Sequence, residues 1–424
     1  MVFVPRPFLT LVGILGMTAS SAVAAASIAA SGSPVWMPRG RDRVRVLHLG
    51  DSHVAAEAFA SAVRAFFVQR YGTGEGGLYL PDLLPRTGEA GSRFRLEGGW
   101  KVVPARSATD PETDLAGGWA ESAARGATVR LAGPFSEGRI LLGRQPAGGR
   151  VVVRVDGRVA AERRLAGPPG VEVIRVSSGA AGGHEIEIVA GGDGPVRFLG
   201  AVLDSSRQGA LYFPVGVNGA LASSLLKLPE SSLFAQLQAV DPEVVILAFG
   251  TNEARTFEPE ARLLSQQMAT LVGRVRRALP AAFVVVVGPP DQARRTRSGG
   301  IAAVPARELV SRSFGAAARQ EGALFVDLAE AMGGAGAVRA WSSERPPLVQ
   351  EDLVHFTSPG YLRLARLLVG ALDGRETMNR IPAAAAVPAG GVRFERDPSG
   401  RVRLTNQPSG AAPAPILGTA RKTN

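Results

Sequence analysis

The chain contains no cysteine among its 424 residues, which removes disulfides, thiolate catalysis and Cys-ligated zinc together. Histidine is nearly as scarce. His48, His53, His184 and His355 are the four present, and none stands in an HExxH-like spacing, so no protein-bound catalytic metal is expected. Aromatic residues make up 6% of the chain against 46% hydrophobic residues, so the core leans on Val, Leu and Ala. The net charge is +11 and the cations are nearly all Arg, but they are scattered without a long basic block. A nucleic-acid surface normally concentrates its charge, so none is expected. A diffuse positive field favours anionic polymers such as a wall matrix or a membrane surface.

The N-terminus reads as a targeting segment. Arg6 precedes the apolar run FLTLVGILGM, and small residues follow, with Ala22-Val23-Ala24 as an A-x-A site. Residues 1–30 are therefore expected to be a signal peptide or, left uncleaved, an N-terminal membrane anchor. Export to the periplasm or cell envelope follows from that reading.

From Arg43 the pattern is α/β. VRVLHLG suits a buried parallel strand and AAEAFASAVRAFFVQRYG has helical spacing. Between about Phe94 and Asp204 short alternating runs such as RVVVRVDG, VEVIRVSSG and HEIEIVAGG recur, separated by Gly-rich turns. That is the signature of an antiparallel sandwich. The α/β pattern then returns in EVVILAFG, AFVVVVGPP and ALFVDLAEAM. The expected organisation is an α/β segment over 43–90, an inserted β-sandwich over 91–207 and a second α/β segment over 208–378. A Pro/Ala/Gly-rich tail over 379–424 is expected to be mostly flexible, apart from a hairpin around Pro398-Ser399-Gly400. Ser358 is expected to cap the last helix, ahead of Pro359.

Four short stretches carry candidate chemistry. HLGDSHVAAEAF (48–59) places Gly50-Asp51-Ser52 where a strand meets a helix. GVNGALASS (216–224) holds a small turn, and LAFGTNEA (247–254) ends a strand in Gly250-Thr251-Asn252-Glu253. In EDLVHFTSPGY (351–361) Asp352 and His355 stand three apart ahead of a helix. Each alone has a local explanation, as a cap, a turn or a surface pair. Together they fall where strands leave the sheet, the edge at which open α/β folds bind ligands. A Ser hydroxyl needs a base to take its proton, and that His needs an acid on its other nitrogen. Acyl transfer also needs donors aimed at the oxyanion. Ser52, His355 and Asp352 can fill the first three roles. The backbone N–H groups of Ser52 and Gly219, with the Asn252 amide, can fill the last.

These residues, Gly50-Asp51-Ser52-His53, Gly219, Gly250-Thr251-Asn252 and Asp352-Leu353-Val354-His355, resemble in kind and order the motifs of the SGNH (GDSL-like) hydrolases. The resemblance covers the two α/β segments, about half the chain. It implies a three-layer α/β/α fold with a mostly parallel sheet. It makes Ser52 the nucleophile, His355 the base and Asp352 its orienting acid, with Ser52, Gly219 and Asn252 at the oxyanion hole. Gly216 is the other glycine that could serve there. The variants GDSH and GTNE, with a β insert after the first motif, look like the peptidoglycan O-acetylesterase branch, whose insert resembles a carbohydrate-binding module. The implied activity is an exported carbohydrate O-acetylesterase, without cofactor or metal, acting on an O-acetylated glycan. The same triad also serves an O-acetyltransferase, and a glycan-binding protein without turnover is the competitor from another class. The oligomeric state is not legible in the sequence.

Overall fold

The run 43–50 forms strand β1 (Arg43–Gly50), buried from Val44 onward. A strand covered on both faces has no polar alternation to keep, and VRVLHLG shows none. The protein is seen in a computed structural model that describes residues 42–83, 93–105, 110, 112–205, 208–255, 260–373, 392–396 and 402–406. The expected signal segment and most of the expected tail lie outside these residues.

After β1 come α1 (Ser52–Ala55), α2 (Glu57–Tyr71) and β2 (Gly76–Tyr79). The β-rich stretch then supplies β3 (Arg93–Glu97), β4 (Lys101–Val103), β5 (Trp119–Ser122), β6 (Thr128–Pro134) and β7 (Glu137–Arg144). It continues through β8 (Arg150–Val155), β9 (Arg158–Arg164), β10 (Gly170–Ser177), β11 (Gly183–Ala190) and β12 (Val196–Asp204). Next are β13 (Gly209–Gly216), α3 (Glu230–Val240), β14 (Val244–Ala248), α4 (Ala261–Ala278) and β15 (Phe283–Gly288). The short pair β16 (Ala293–Arg295) and β17 (Ile301–Ala303) precedes α5 (Ala306–Gln320) and β18 (Leu324–Asp327). Helices α6 (Leu328–Ala331), α7 (Ala337–Ser342) and α8 (Ser358–Asp373) follow, and β19 (Val392–Arg396) pairs with β20 (Val402–Asn406) in the expected hairpin.

Strands β13, β1, β14, β15 and β18 lie in that order in one parallel sheet. Side chains alternate across it. Leu47 and Leu49 face one core with Leu233, Leu271 and Phe314 of α3, α4 and α5. Val44 and Val46 face the other with Val63, Phe67 and Leu364 of α2 and α8. The result is the expected three-layer α/β/α arrangement. Strand β1, which leads to Ser52, sits inside the sheet between β13 and β14.

The β-rich stretch forms two antiparallel sheets, β10-β7-β12-β5-β4 and β3-β6-β11-β8-β9. They enclose a core of Val129, Leu131, Ile140, Ile188 and Phe198. One boundary differs from expectation. Strand β2, read from the sequence as part of the first α/β segment, pairs antiparallel with β12, Ala201 opposite Tyr79. Its alternate residues serve two cores, Tyr79 that of the sandwich and Leu78 that of the α/β body. An apolar run that faces protein on both sides has no polar face to reveal its allegiance. The sandwich therefore leans directly on the α/β body, and Leu141, Leu199 and Trp119 pack around Ala239 of α3.

Between β4 and β5 the segment 112–118 turns against α3. Asp114 is fully buried there. Its Oδ1 accepts the N–H groups of Ala116 (2.8 Å) and Gly118 (2.9 Å), and burial pushes its carboxyl up to about 8. The folded chain thus holds a proton that the unfolded chain releases near the ordinary carboxylate value. Stability from this group is greatest in acid and declines as pH climbs toward 8. Asp114→Asn keeps the acceptor and removes the titration. We expect its Tm, relative to the parent chain, to rise between pH 5 and pH 9; parallel Tm curves would contradict this.

Candidate active site

Strands β1, β13 and β14 end side by side, with Gly50 opposite Gly216 and Ala248. Two backbone bonds knit the loops that leave them. Asp51 N–H donates to Ala248 O (3.3 Å) and Val217 N–H to Gly50 O (3.0 Å). Asp51 caps α1 by accepting the His53 N–H (3.0 Å), so Ser52 opens a helical turn at the sheet edge. Its Oγ lies 2.9 Å from His355 Nε2. His355 arrives from the other end of the chain, on the turn before α8, and its Nδ1 lies 2.6 Å from Asp352 Oδ2. Asp352 Oδ1 accepts the backbone N–H groups of Val354 (3.0 Å) and His355 (2.9 Å). Leu353 takes a left-handed φ of 59° and is buried, which closes the turn and anchors the Asp–His pair. Burial raises the Asp352 carboxyl, but the bonds from the His355 ring and the two amides outweigh it, so it sits below the usual carboxylate range. A hydroxyl bonded to an imidazole whose other nitrogen meets a carboxylate is an arrangement in which serine becomes nucleophilic.

The two candidate glycines separate clearly. A Cβ on Gly216 would fall 2.0 Å from Ala55 N, so Gly216 packs beneath α1. Gly219 has φ 80° and open space around it. Ala220 N–H donates to Val217 O (3.0 Å), and the positive φ falls at the third position of that turn, where glycine is favoured. The Asn252 amide donates to Ala220 O (2.9 Å), tying the end of β14 to the turn that holds Gly219. The structure thus brings Ser52, Asp352, His355, Gly219 and Asn252 to one sheet edge.

Residues 177–363 match the GDSL-like Lipase/Acylhydrolase family. The α/β body is a GDSL-like hydrolase domain. The matched stretch includes Gly219, Asn252, Asp352 and His355; Ser52 lies before it, on the far side of the β insert. No curated protein matches the chain. Among solved structures, one described as a peptidoglycan O-acetylesterase is similar at 23% identity, with 78% of this chain and 90% of that chain covered and a TM-score of 0.63. That likeness establishes the shared fold. A family two carbohydrate esterase from Clostridium thermocellum (14% identity, 66% and 98% covered, TM-score 0.29) is more distant. So is a GDSL-like lipase from Parabacteroides merdae (17% identity, 39% and 74% covered, TM-score 0.31).

His53 and Glu253, next to the motif residues in the chain, back the site, while His48 and His184 lie away from it. His53 is buried, with its Nδ1 3.2 Å from Tyr361 Oη and its ring 5.6 Å from that of His355. Burial holds its pKa below the usual imidazole value, so it backs His355 as a neutral ring. Glu253 Oε1 accepts the Ala222 N–H (2.7 Å), a second tie between the β14 end and the Gly219 turn. Burial, with Asp51 nearby, pushes its carboxyl up to about 7. His48 is a core residue whose Nδ1 lies 2.6 Å from Tyr212 Oη, and His184 meets Asp156 (2.7 Å) on the insert. One expected cap moves: Gly360 N–H reaches Thr357 Oγ1 (3.3 Å), so Thr357 rather than Ser358 caps α8. Adjacent Thr and Ser offer the same chemistry, and only the backbone path chooses between them.

Proposed function

We propose that the chain is an exported serine esterase that removes O-acetyl groups from a cell-wall glycan, peptidoglycan first among them. The observation that carries the reading is the relay from Ser52 Oγ through His355 to Asp352, at 2.9 and 2.6 Å. In this reading His355 Nε2 takes the Ser52 proton as Oγ attacks the acetyl carbonyl. The tetrahedral intermediate collapses as the imidazolium gives that proton to the departing sugar oxygen. Water, deprotonated by His355, then attacks the acetyl-serine, releasing acetate and restoring Ser52. Asp352 holds the imidazole tautomer and stabilises the imidazolium. The oxyanion is met by the N–H groups of Ser52 and Gly219 and by the Asn252 amide.

The glycan assignment is supported by the fold shared with the O-acetylesterase structure. Export is supported by the apolar N-terminal segment and its A-x-A site. Acetate release from O-acetylated peptidoglycan, with O-acetylated xylan alongside, tests the substrate. Release only from xylan would move the assignment to another polysaccharide, and acetyl transfer to glycan exceeding hydrolysis would make the protein a transferase. Asn252→Ala should lower kcat by about 10²–10³, the cost of removing one oxyanion donor. Because the amide also donates to Ala220 O, Asn252→Gln, which keeps the amide donor on a longer side chain, serves as the companion variant. Activity retained in both would remove Asn252 from the oxyanion hole.

A further inference from the structure

A cleft of about 290 Å³ opens beside Gly219. Its floor is apolar, with Leu49, Val215 and Phe249 of the hydrolase domain. Its facing wall belongs to the other domain: Asp110, Thr113 and residues 115–117 come from the segment between β4 and β5. An acetyl methyl would leave most of this volume empty. An apolar floor beneath polar groups such as Asn218, Lys227 and Asp110 suits a sugar ring, which offers C–H faces and hydroxyls together.

The wall is fixed from both sides. Ser232 Oγ–H of α3 donates to the buried Glu112 carboxylate, and Gln236 Nε2 donates to Thr113 O (2.8 Å). From the sandwich, the guanidinium of Arg197 on β12 lies 4.4 Å over the Trp119 ring. It donates to Asp110 Oδ2 (2.7 Å), Glu121 Oε2 (3.1 Å) and Glu112 O (3.4 Å). A guanidinium fork can hold several acceptors at once in fixed directions.

We propose that this cleft is a glycan subsite shared by the two domains, holding the sugar next to the esterified one, and that Arg197 is the positioning residue for its inserted wall. The inserted domain then acts by completing the cleft. The proposal rests on the esterase reading above and names where its polymer binds.

The test compares kcat/KM on O-acetylated peptidoglycan with kcat/KM on p-nitrophenyl acetate, an ester with no sugar to fill the cleft. Arg197→Met should lower the ratio of the two at least tenfold, mainly through KM for the polymer. Arg197→Lys should restore part of it. Asn218→Ala and Lys227→Ala change exposed side chains, so misfolding does not confound them, and each should lower the ratio at least threefold. A ratio unmoved by all four variants, in a parent chain that cleaves both esters, overturns the subsite alone. Faster cleavage of butyrate and hexanoate esters than of acetate, lost in the variants, overturns it in favour of an acyl pocket. A parent chain that cleaves neither ester overturns the esterase reading and the subsite with it.

Discussion

Ser52→Ala is expected to lower kcat for acetyl-ester hydrolysis by about 10⁴–10⁶, the range in which removing a serine nucleophile falls. The fold should not change. Ser52 opens a single helical turn, and Asp51, which caps that turn through the His53 N–H, is untouched. Its Oγ bonds His355 across the sheet edge, a partner half-exposed and able to take water instead. Alanine is also the best helix former. Tm and circular dichroism should therefore match those of the parent chain while turnover disappears. A correctly folded variant that kept a tenth of the parent activity would remove Ser52 from the chemistry.

Asp352→Asn should cost about 10⁴ in kcat, since an amide in this place favours the wrong imidazole tautomer. Asp352 Oδ2 accepts a hydrogen bond from His355 Nδ1–H at 2.6 Å, which leaves Nε2 bare toward Ser52. An amide N–H facing Nδ1 would force the ring proton onto Nε2, where it blocks deprotonation of the hydroxyl. The carbonyl of Asn can still accept the N–H groups of Val354 and His355, so the turn should survive. The Asp352 carboxyl lies below the usual range, so its charge persists as pH falls until well into acid. Loss of activity at mild acidity therefore arises elsewhere in the relay. Parent-like kcat in the Asn variant would contradict the orienting role.

Much of the hydrolase domain was legible because its strands are covered on both faces. VRVLHLG, EVVILAFG and AFVVVVGPP are largely apolar runs stopped by Gly or Pro, and each became a parallel strand. The GDSH, GTNE and DLVH stretches were legible only together: each alone reads as a cap, a turn or a surface pair, and it is their shared place at strand ends that points to one edge. Gly219 and Gly216 could not be told apart in sequence, because the difference is what lies over each, α1 in one case and open space in the other. The wall at Asp110 and 112–117 was not legible at all. It has no periodicity, and its partners Arg197 and Ser232 lie 87 and 120 residues away from Asp110 and Glu112. Strand β2 was not read as a strand in sequence, and its two faces belong to two cores. Local pattern reports burial, and these cases turn on which distant surface does the burying.

The central claim, acetyl transfer through Ser52, is tested most directly by acid-quenching the protein during turnover of an acetyl ester and mapping the modification by peptide mass spectrometry. An acetyl group on Ser52, absent in Ser52→Ala and accumulating when deacylation is slowed, is the predicted result. Rapid turnover with no acetylated peptide, or with the acetyl group on another residue, would contradict it.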